Sequence, residues 1–211
     1  MRGLYLVTDR TLCGQRPVEE VVFMALQGGA TCIQLREKDA STRDFVEEAQ
    51  RIKALMAPFP ALLIINDRID VALAVGADGV HIGQHDMPYE IARKILGPRA
   101  IIGLSVESWK DVERATTLDV DYLGVSPVFL TPTKIDTKGH WGLEGLRRIR
   151  TATRLPLVAI GGLNASNTAD VIRAGADSIA VVSAICAADD PYQAARELST
   201  LIDESLALTH R

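Results

Sequence analysis

Three basic residues, Arg36, Lys38 and Lys134, and two acidic ones, Asp67 and Asp86, stand in polar stretches that follow short apolar runs. Carboxylates at two such positions are the oxygen-donor provision that Mg²⁺ takes alongside substrate phosphates. Cations together with a carboxylate-held divalent metal suit a leaving diphosphate, because both stabilise negative charge as it develops. Farther along the chain, Gly161-Gly162 and the Val182-Ser183 turn offer backbone N–H groups of the kind that bind a phosphate without a metal. The chemistry expected of these residues is the handling of two phosphorylated groups, one metal-bound and one not. Gln34, Asn66, Ser105, Thr131 and Thr133 are the uncharged polar residues of the same stretches.

Taken singly, each residue has a plainer reading. Arg36-Glu37-Lys38 can be a solvated charge cluster, and Asp67 with Arg68 and Asp70 can be helix N-terminal charges favoured by the macrodipole. Asp86 can be a cap before Pro88, and Lys134 a solvated loop lysine. His81, His85, His140 and His210 share no metal-ligand spacing, which argues against zinc. Trp109 and Trp141 read as packing residues or the edge of a lid, and the stretch from Lys138 to Trp141 as part of that lid.

The elements that must bring these residues together alternate regularly. Runs rich in Val, Ile and Leu occur at residues 4–7, 32–35, 61–65, 79–82, 100–104, 122–125, 157–160 and 178–182. Each is followed by an amphipathic stretch, as where Val18, Val21, Val22, Ala25 and Leu26 repeat at helical spacing behind Pro17. The remaining helices are expected over 45–56, 69–75, 89–96, 107–117, 143–153, 167–174 and 191–207, the first of these opened by a Ser41-x-x-Asp44 cap. The strand runs are continuous rather than alternating, as in a parallel sheet covered by helices on its outer face. Gly76-Ala77-Asp78 and Gly175-Ala176-Asp177 mark repetition at the unit boundaries. Eight strand–helix units predict an α/β fold, a single-domain (β/α)8 TIM barrel spanning 1–211, with its site at the C-terminal ends of the strands. No GxGxxG follows the first run, which argues against an open dinucleotide-binding sheet.

Composition narrows the partners. With 211 residues, 47% hydrophobic and 24% charged, the chain is of globular make-up. The formal charge of −4 and the 5% aromatic content leave no basic stripe and few stacking platforms, so nucleic acid is not expected. No apolar run approaches the ~18 residues of a membrane span. Three cysteines without CxxC spacing fit a reducing compartment, and a cytoplasmic location is expected. A small barrel with an apolar surface stripe could also pair with a second copy of itself.

At these residues the sequence resembles the thiamine phosphate synthase family. The matching phrases are LYLVTD at 4–9, QLREK at 34–38, Asn66-Asp67-Arg68, ADGVHIGQHD at 77–86 and GLS at 103–105. They continue with SPVFLTPTK at 126–134, AIGGL at 159–163 and AVVSAI at 180–185. The resemblance implies the barrel fold and an enzyme that joins an aminopyrimidine methyl diphosphate to a hydroxyethylthiazole phosphate, releasing diphosphate. Gln34, Arg36 and Lys38 would bind the pyrimidine diphosphate, Asn66 the pyrimidine ring, and Asp67 and Asp86 Mg²⁺. Ser105 and Lys134 would make further diphosphate and pyrimidine contacts, so that Arg36, Lys38, Ser105 and Lys134 carry the catalysis. Thr131, Thr133, Gly162, Val182 and Ser183 would hold the thiazole phosphate. Ser126 departs from the pattern, standing where the family phrase has glycine. The rival readings are a thiazole tautomerase on the same barrel and a non-catalytic phosphate-ligand sensor.

Overall fold

A computed structural model describes residues 1–130 and 139–209. Its strands are β1 (Gly3–Val7), β2 (Ala30–Leu35), β3 (Leu62–Asn66), β4 (Gly79–Ile82), β5 (Ile101–Val106), β6 (Tyr122–Val125), β7 (Leu157–Ile160) and β8 (Ser178–Val181). They pair in chain order, all parallel, and β8 returns to β1 through pairs such as Leu4 with Ile179, closing the barrel. The helices among the described residues are α1 (Val18–Gln27), α2 (Thr42–Met56), α3 (Ile69–Val75), α4 (Tyr89–Leu96), α5 (Trp109–Ala115), α6 (Gly142–Ala152), α7 (Thr168–Arg173), α8 (Ser183–Cys186) and α9 (Pro191–Thr209). This is the (β/α)8 TIM barrel expected from the pattern. None of these helices is long and apolar enough to cross a membrane.

The continuous apolar runs follow from burial on both faces of each strand. One set of side chains points into the barrel, where Tyr5, Val7, Cys32, Ile64, Tyr122, Val158 and Ala180 pack together. The alternate set, including Leu4, Leu6, Ile33, Leu35 and Ile65, packs outward against helix residues such as Val21, Val22, Phe45 and Ile52. The cap of α2 forms as its sequence predicts, Ser41 Oγ accepting from the Asp44 amide at 3.2 Å. On the surface, Leu73 of α3 and Ile91 and Ile95 of α4 are exposed.

Two boundaries differ in a way that matters for function. Asn66 ends β3 and Ser105 lies inside β5, although each was expected just past its strand. A polar residue interrupts the apolar pattern, but the backbone stays paired while its side chain turns into the barrel. The chain also forms the separate short α8 directly after β8.

The repeated Gly-Ala-Asp phrases have a structural reason at the opposite, N-terminal end. Asp78 and Asp177 of these phrases, and likewise Asp121 ahead of β6, each accept a hydrogen bond from the amide that begins, or nearly begins, the strand before: Leu63, Leu157 and Ile102, all at 2.8 Å. Arg93 and Arg150 close on Asp121 and Asp177 at 2.7 and 2.9 Å. Replacing Asp177 takes the side-chain acceptor from the Leu157 amide and one of its partners from Arg150. Asp177→Ala is expected to lower stability by about 1–3 kcal/mol. The readout is the urea midpoint, with kcat unchanged because Asp177 does not line the cavity at the other end of the barrel.

Candidate functional site

The C-terminal mouth of the barrel opens on a cavity of about 250 Å³. Gln34, Arg36, Lys38, Asn66, Asp67, Asp86, Ser105, Gly162, Val182 and Ser183 all line it. Residues from β2, β3 and β5 and the loops after β2, β3 and β4 form one wall, and those of the β7 and β8 ends form the other. Thr131, Thr133 and Lys134, expected here from the sequence, lie outside the described residues, as does Lys138. At the end of that stretch Trp141 is anchored, its Nε1 donating to the Val106 carbonyl at 3.2 Å and its backbone amide to Pro127 at 2.9 Å. Trp109 is a packing residue, carrying the Arg148 guanidinium 4.0 Å above its ring.

Arg36-Glu37-Lys38 is not a solvated cluster. The Glu37 side chain is only 6% exposed and turns inward, accepting from Arg10 Nε at 3.2 Å. Arg10 also reaches the buried Glu48 of α2 at 2.6 Å, and burial foremost pushes the Glu48 carboxyl above its ordinary range. With Glu37 pinned between them, Arg36 and Lys38 face the cavity. Arg36 takes its position from a backbone hydrogen bond to Thr8 Oγ1 at 3.0 Å and from Asp9 at 3.6 Å.

Asp67 is the strained member. It is the non-glycine residue with positive φ among those described, at 60°, a conformation that Asp adopts at modest cost and that recurs at functional sites. Its amide donates to the His81 carbonyl at 2.9 Å, and its carboxylate meets Lys38 Nζ at 2.5 Å. Arg68 pairs with Asp70 instead, so Asp67 does not belong to the helix-start charges. Asp86 accepts from the Gly83 amide at 2.7 Å across a tight turn. Burial first, and then a hydrogen bond to the Asp67 carboxylate, raise the Asp86 carboxyl above the usual range.

Two carboxylates that line one cavity and act on each other fit a divalent cation, which would relieve the repulsion between them. Among the described residues no cluster of three or more metal-binding side chains forms. Mg²⁺ uses one or two carboxylates and completes its shell with water and substrate phosphate. The described cavity lining carries the carboxylates Asp9, Asp67 and Asp86 against the cations Arg36 and Lys38, so an anionic ligand gains from an added positive charge.

On the opposite wall Gly161 and Gly162 have φ of 103° and 66°. A Cβ at Gly162 would lie 2.9 Å from both the Leu130 carbonyl and Phe129 Cβ, so close packing of the preceding loop requires this glycine independently of any ligand. Asn167 Nδ2 donates to the Gly162 carbonyl at 2.9 Å and fixes the turn. Ser183 opens α8 beside it.

Sequence reasoning missed Tyr5, Asp9, His81 and Tyr122, which also line the cavity. The signal available for His81 and Tyr122 was a polar side chain at an inward position of an otherwise apolar strand. Gln84 donates to the Ser105 carbonyl at 2.6 Å and holds that strand end.

The sequence model of the family described as thiamine monophosphate synthase matches residues 4–185 of the chain. A thiamine-phosphate synthase from Albidiferax ferrireducens is 59% identical over 200 residues, covering 95% of this chain and 91% of the relative. One from Leptospira biflexa is 54% identical, covering 92% and 94%. Among solved structures, a thiamine phosphate pyrophosphorylase from Pyrococcus furiosus superposes with a TM-score of 0.90 at 45% identity, covering 97% of this chain and 96% of that one.

Proposed function

The chain belongs to the thiamine monophosphate synthase family, and from that premise we propose that it is a transferase forming thiamine phosphate. It condenses 4-amino-2-methyl-5-(diphosphooxymethyl)pyrimidine with 4-methyl-5-(2-phosphooxyethyl)thiazole and releases diphosphate. The observation that carries this reading is the cavity itself. One wall gathers Arg36, Lys38, Asp67 and Asp86, and the facing wall brings Gly162, Val182 and Ser183. A thiazole tautomerase or a phosphate sensor has no use for the first wall.

The aminopyrimidine ring pushes electron density toward its methylene carbon, so the bond to the diphosphate oxygen can break with its electron pair leaving on the diphosphate. The thiazole nitrogen lone pair then forms the new C–N bond. Such a reaction asks for charge stabilisation, alignment and exclusion of water rather than a poised acid–base pair. Mg²⁺, held by Asp67 and Asp86, would supply positive charge to the departing diphosphate. Arg36 and Lys38 bind that diphosphate from the β2 side, with Lys134 completing the charge by family resemblance. Gln34 and Asn66, buried at the barrel mouth, orient the pyrimidine, and Ser105 contacts it from β5. Gly162 and Ser183 hold the thiazole phosphate with Thr131 and Thr133, and Val182 adds an apolar wall.

The test is an endpoint assay with both phosphorylated halves, oxidising the product to fluorescent thiochrome. Product is expected with Mg²⁺ and none in excess chelator, and restored metal is expected to restore the rate. Absence of product from folded protein under saturating Mg²⁺ would sink the reading.

A further inference from the structure

A line of hydrogen bonds crosses the cavity floor. Gln34 Nε2 donates to the Tyr5 hydroxyl at 2.7 Å, and the Tyr5 and Tyr122 hydroxyls are 2.9 Å apart. The Tyr122 hydroxyl lies 2.9 Å from His81 Nδ1, and His81 Nε2 lies 2.8 Å from Ser105 Oγ. The two ends, Gln34 and Ser105, face the substrate in the reading above, while the three residues between them have no role in it. Space for the line is made by missing side chains. A Cβ on Gly103 would fall 2.0 Å from Tyr122 Cζ, and one on Gly124 would fall 2.7 Å from His81 Cε1. The His81 and Tyr122 rings stack at 28° with centroids 5.5 Å apart, and Tyr5 meets Tyr122 edge-on.

A hydroxyl has one proton to give, so the bonds along such a line share one direction. Burial foremost raises both phenols well above their ordinary range, so each keeps its proton. With the Gln34 N–H directed at Tyr5, the Tyr5 proton turns to Tyr122 and the Tyr122 proton to His81 Nδ1. The neutral imidazole then carries its hydrogen on Nε2, aimed at Ser105 Oγ, and the Ser105 proton is turned away into the cavity.

We infer that Tyr122 is a positioning residue: with Tyr5 and His81 it sets the direction of this line, so that Gln34 offers its carbonyl oxygen and Ser105 its O–H to the ligand. Resting on the synthase reading, this assigns the specificity of the pyrimidine subsite. A 4-aminopyrimidine edge presents an amino donor beside ring-nitrogen acceptors, which the acceptor-and-donor pair matches. A 4-oxo-pyrimidine presents an acceptor beside an N–H and meets both groups with the wrong polarity.

The experiment has two arms. In ¹⁵N spectra of histidine-labelled protein, His81, assigned by its loss in His81→Gln, is expected as the neutral form protonated on Nε2. In binding measurements without the thiazole, the wild type is expected to prefer the 4-amino diphosphate over its 4-oxo counterpart by about tenfold or more. Tyr122→Phe is expected to lose most of that preference and leave thiazole phosphate affinity unchanged, a split that loosened packing alone would not produce. Tyr5→Phe breaks the line one link earlier and carries the same expectation if Tyr122→Phe does not fold. A proton on Nδ1 of His81, or a preference that both variants keep, overturns the inference. Binding of neither pyrimidine by folded wild type sinks the synthase reading and this subsite with it, while the tautomer, which needs no ligand, decides the direction of the line alone.

Discussion

Asp67→Asn is expected to lower kcat by about a thousandfold at saturating substrates and Mg²⁺, equal to ~4 kcal/mol in the activation barrier. The amide has the shape of the carboxylate but carries no charge, so the change isolates the electrostatic contribution at the departing diphosphate. Asn is a better choice than Ala because of the backbone. At φ 60° a residue with a short polar side chain pays little, whereas Ala adds roughly 1 kcal/mol of conformational strain. Asp67→Asn should therefore keep the thermal midpoint near that of the wild type, and Asp67→Ala should lose both rate and stability. Thiazole phosphate binding, proposed for the β7 and β8 ends, should stay the same in both. Turnover by Asp67→Asn within tenfold of the wild type would remove Asp67 from the metal site.

The strand count was legible because a barrel strand buried on both faces has to be written in Val, Ile and Leu almost without interruption. The same fact hid part of the site. Where Asn66 and Ser105 interrupt their runs, the sequence reads as a strand that has ended, yet both are inward members of the strands, Asn66 as the last residue of β3 and Ser105 inside β5. Tyr5, His81 and Tyr122 were harder, because an inward position cannot be told from an outward one until register is known. Tyr5 pairs with Cys32, and Gly103 pairs with both His81 and Tyr122, and only this lateral order shows that they meet across the barrel. Charged residues at the mouth were easier, since a loop following a buried strand has few reasons to gather Arg36, Lys38, Asp67 and Asp86. What sequence could not show was that Glu37, between Arg36 and Lys38, turns away to Arg10, or that Gly162 is needed as much by Phe129 and Leu130 as by a phosphate.

Lys38→Ala is expected to lower two observables together, the half-saturating Mg²⁺ concentration and kcat. Lys38 Nζ sits 2.5 Å from an Asp67 carboxylate oxygen, with the lysine side chain about half exposed. An ion pair so open to solvent contributes little to stability, at most about 1 kcal/mol, so its removal should leave folding intact. It does place a positive charge where Mg²⁺ is expected to bind. Deleting that charge frees the carboxylate, and the half-saturating Mg²⁺ concentration should fall by about threefold, a modest shift because solvent and salt screen the site. The same deletion takes a cation from the leaving diphosphate, and kcat should fall by about a hundredfold. Lys38→Arg, which keeps the charge, should recover much of the rate. A Mg²⁺ titration of turnover separates the alternatives. A lower kcat with a raised metal requirement would mean that Lys38 serves to orient Asp67, and an unchanged kcat would mean that it never meets the leaving group. A fall in both quantities is the result that a lysine shared between carboxylate and diphosphate demands, because its charge opposes the metal in one state and assists it in the other.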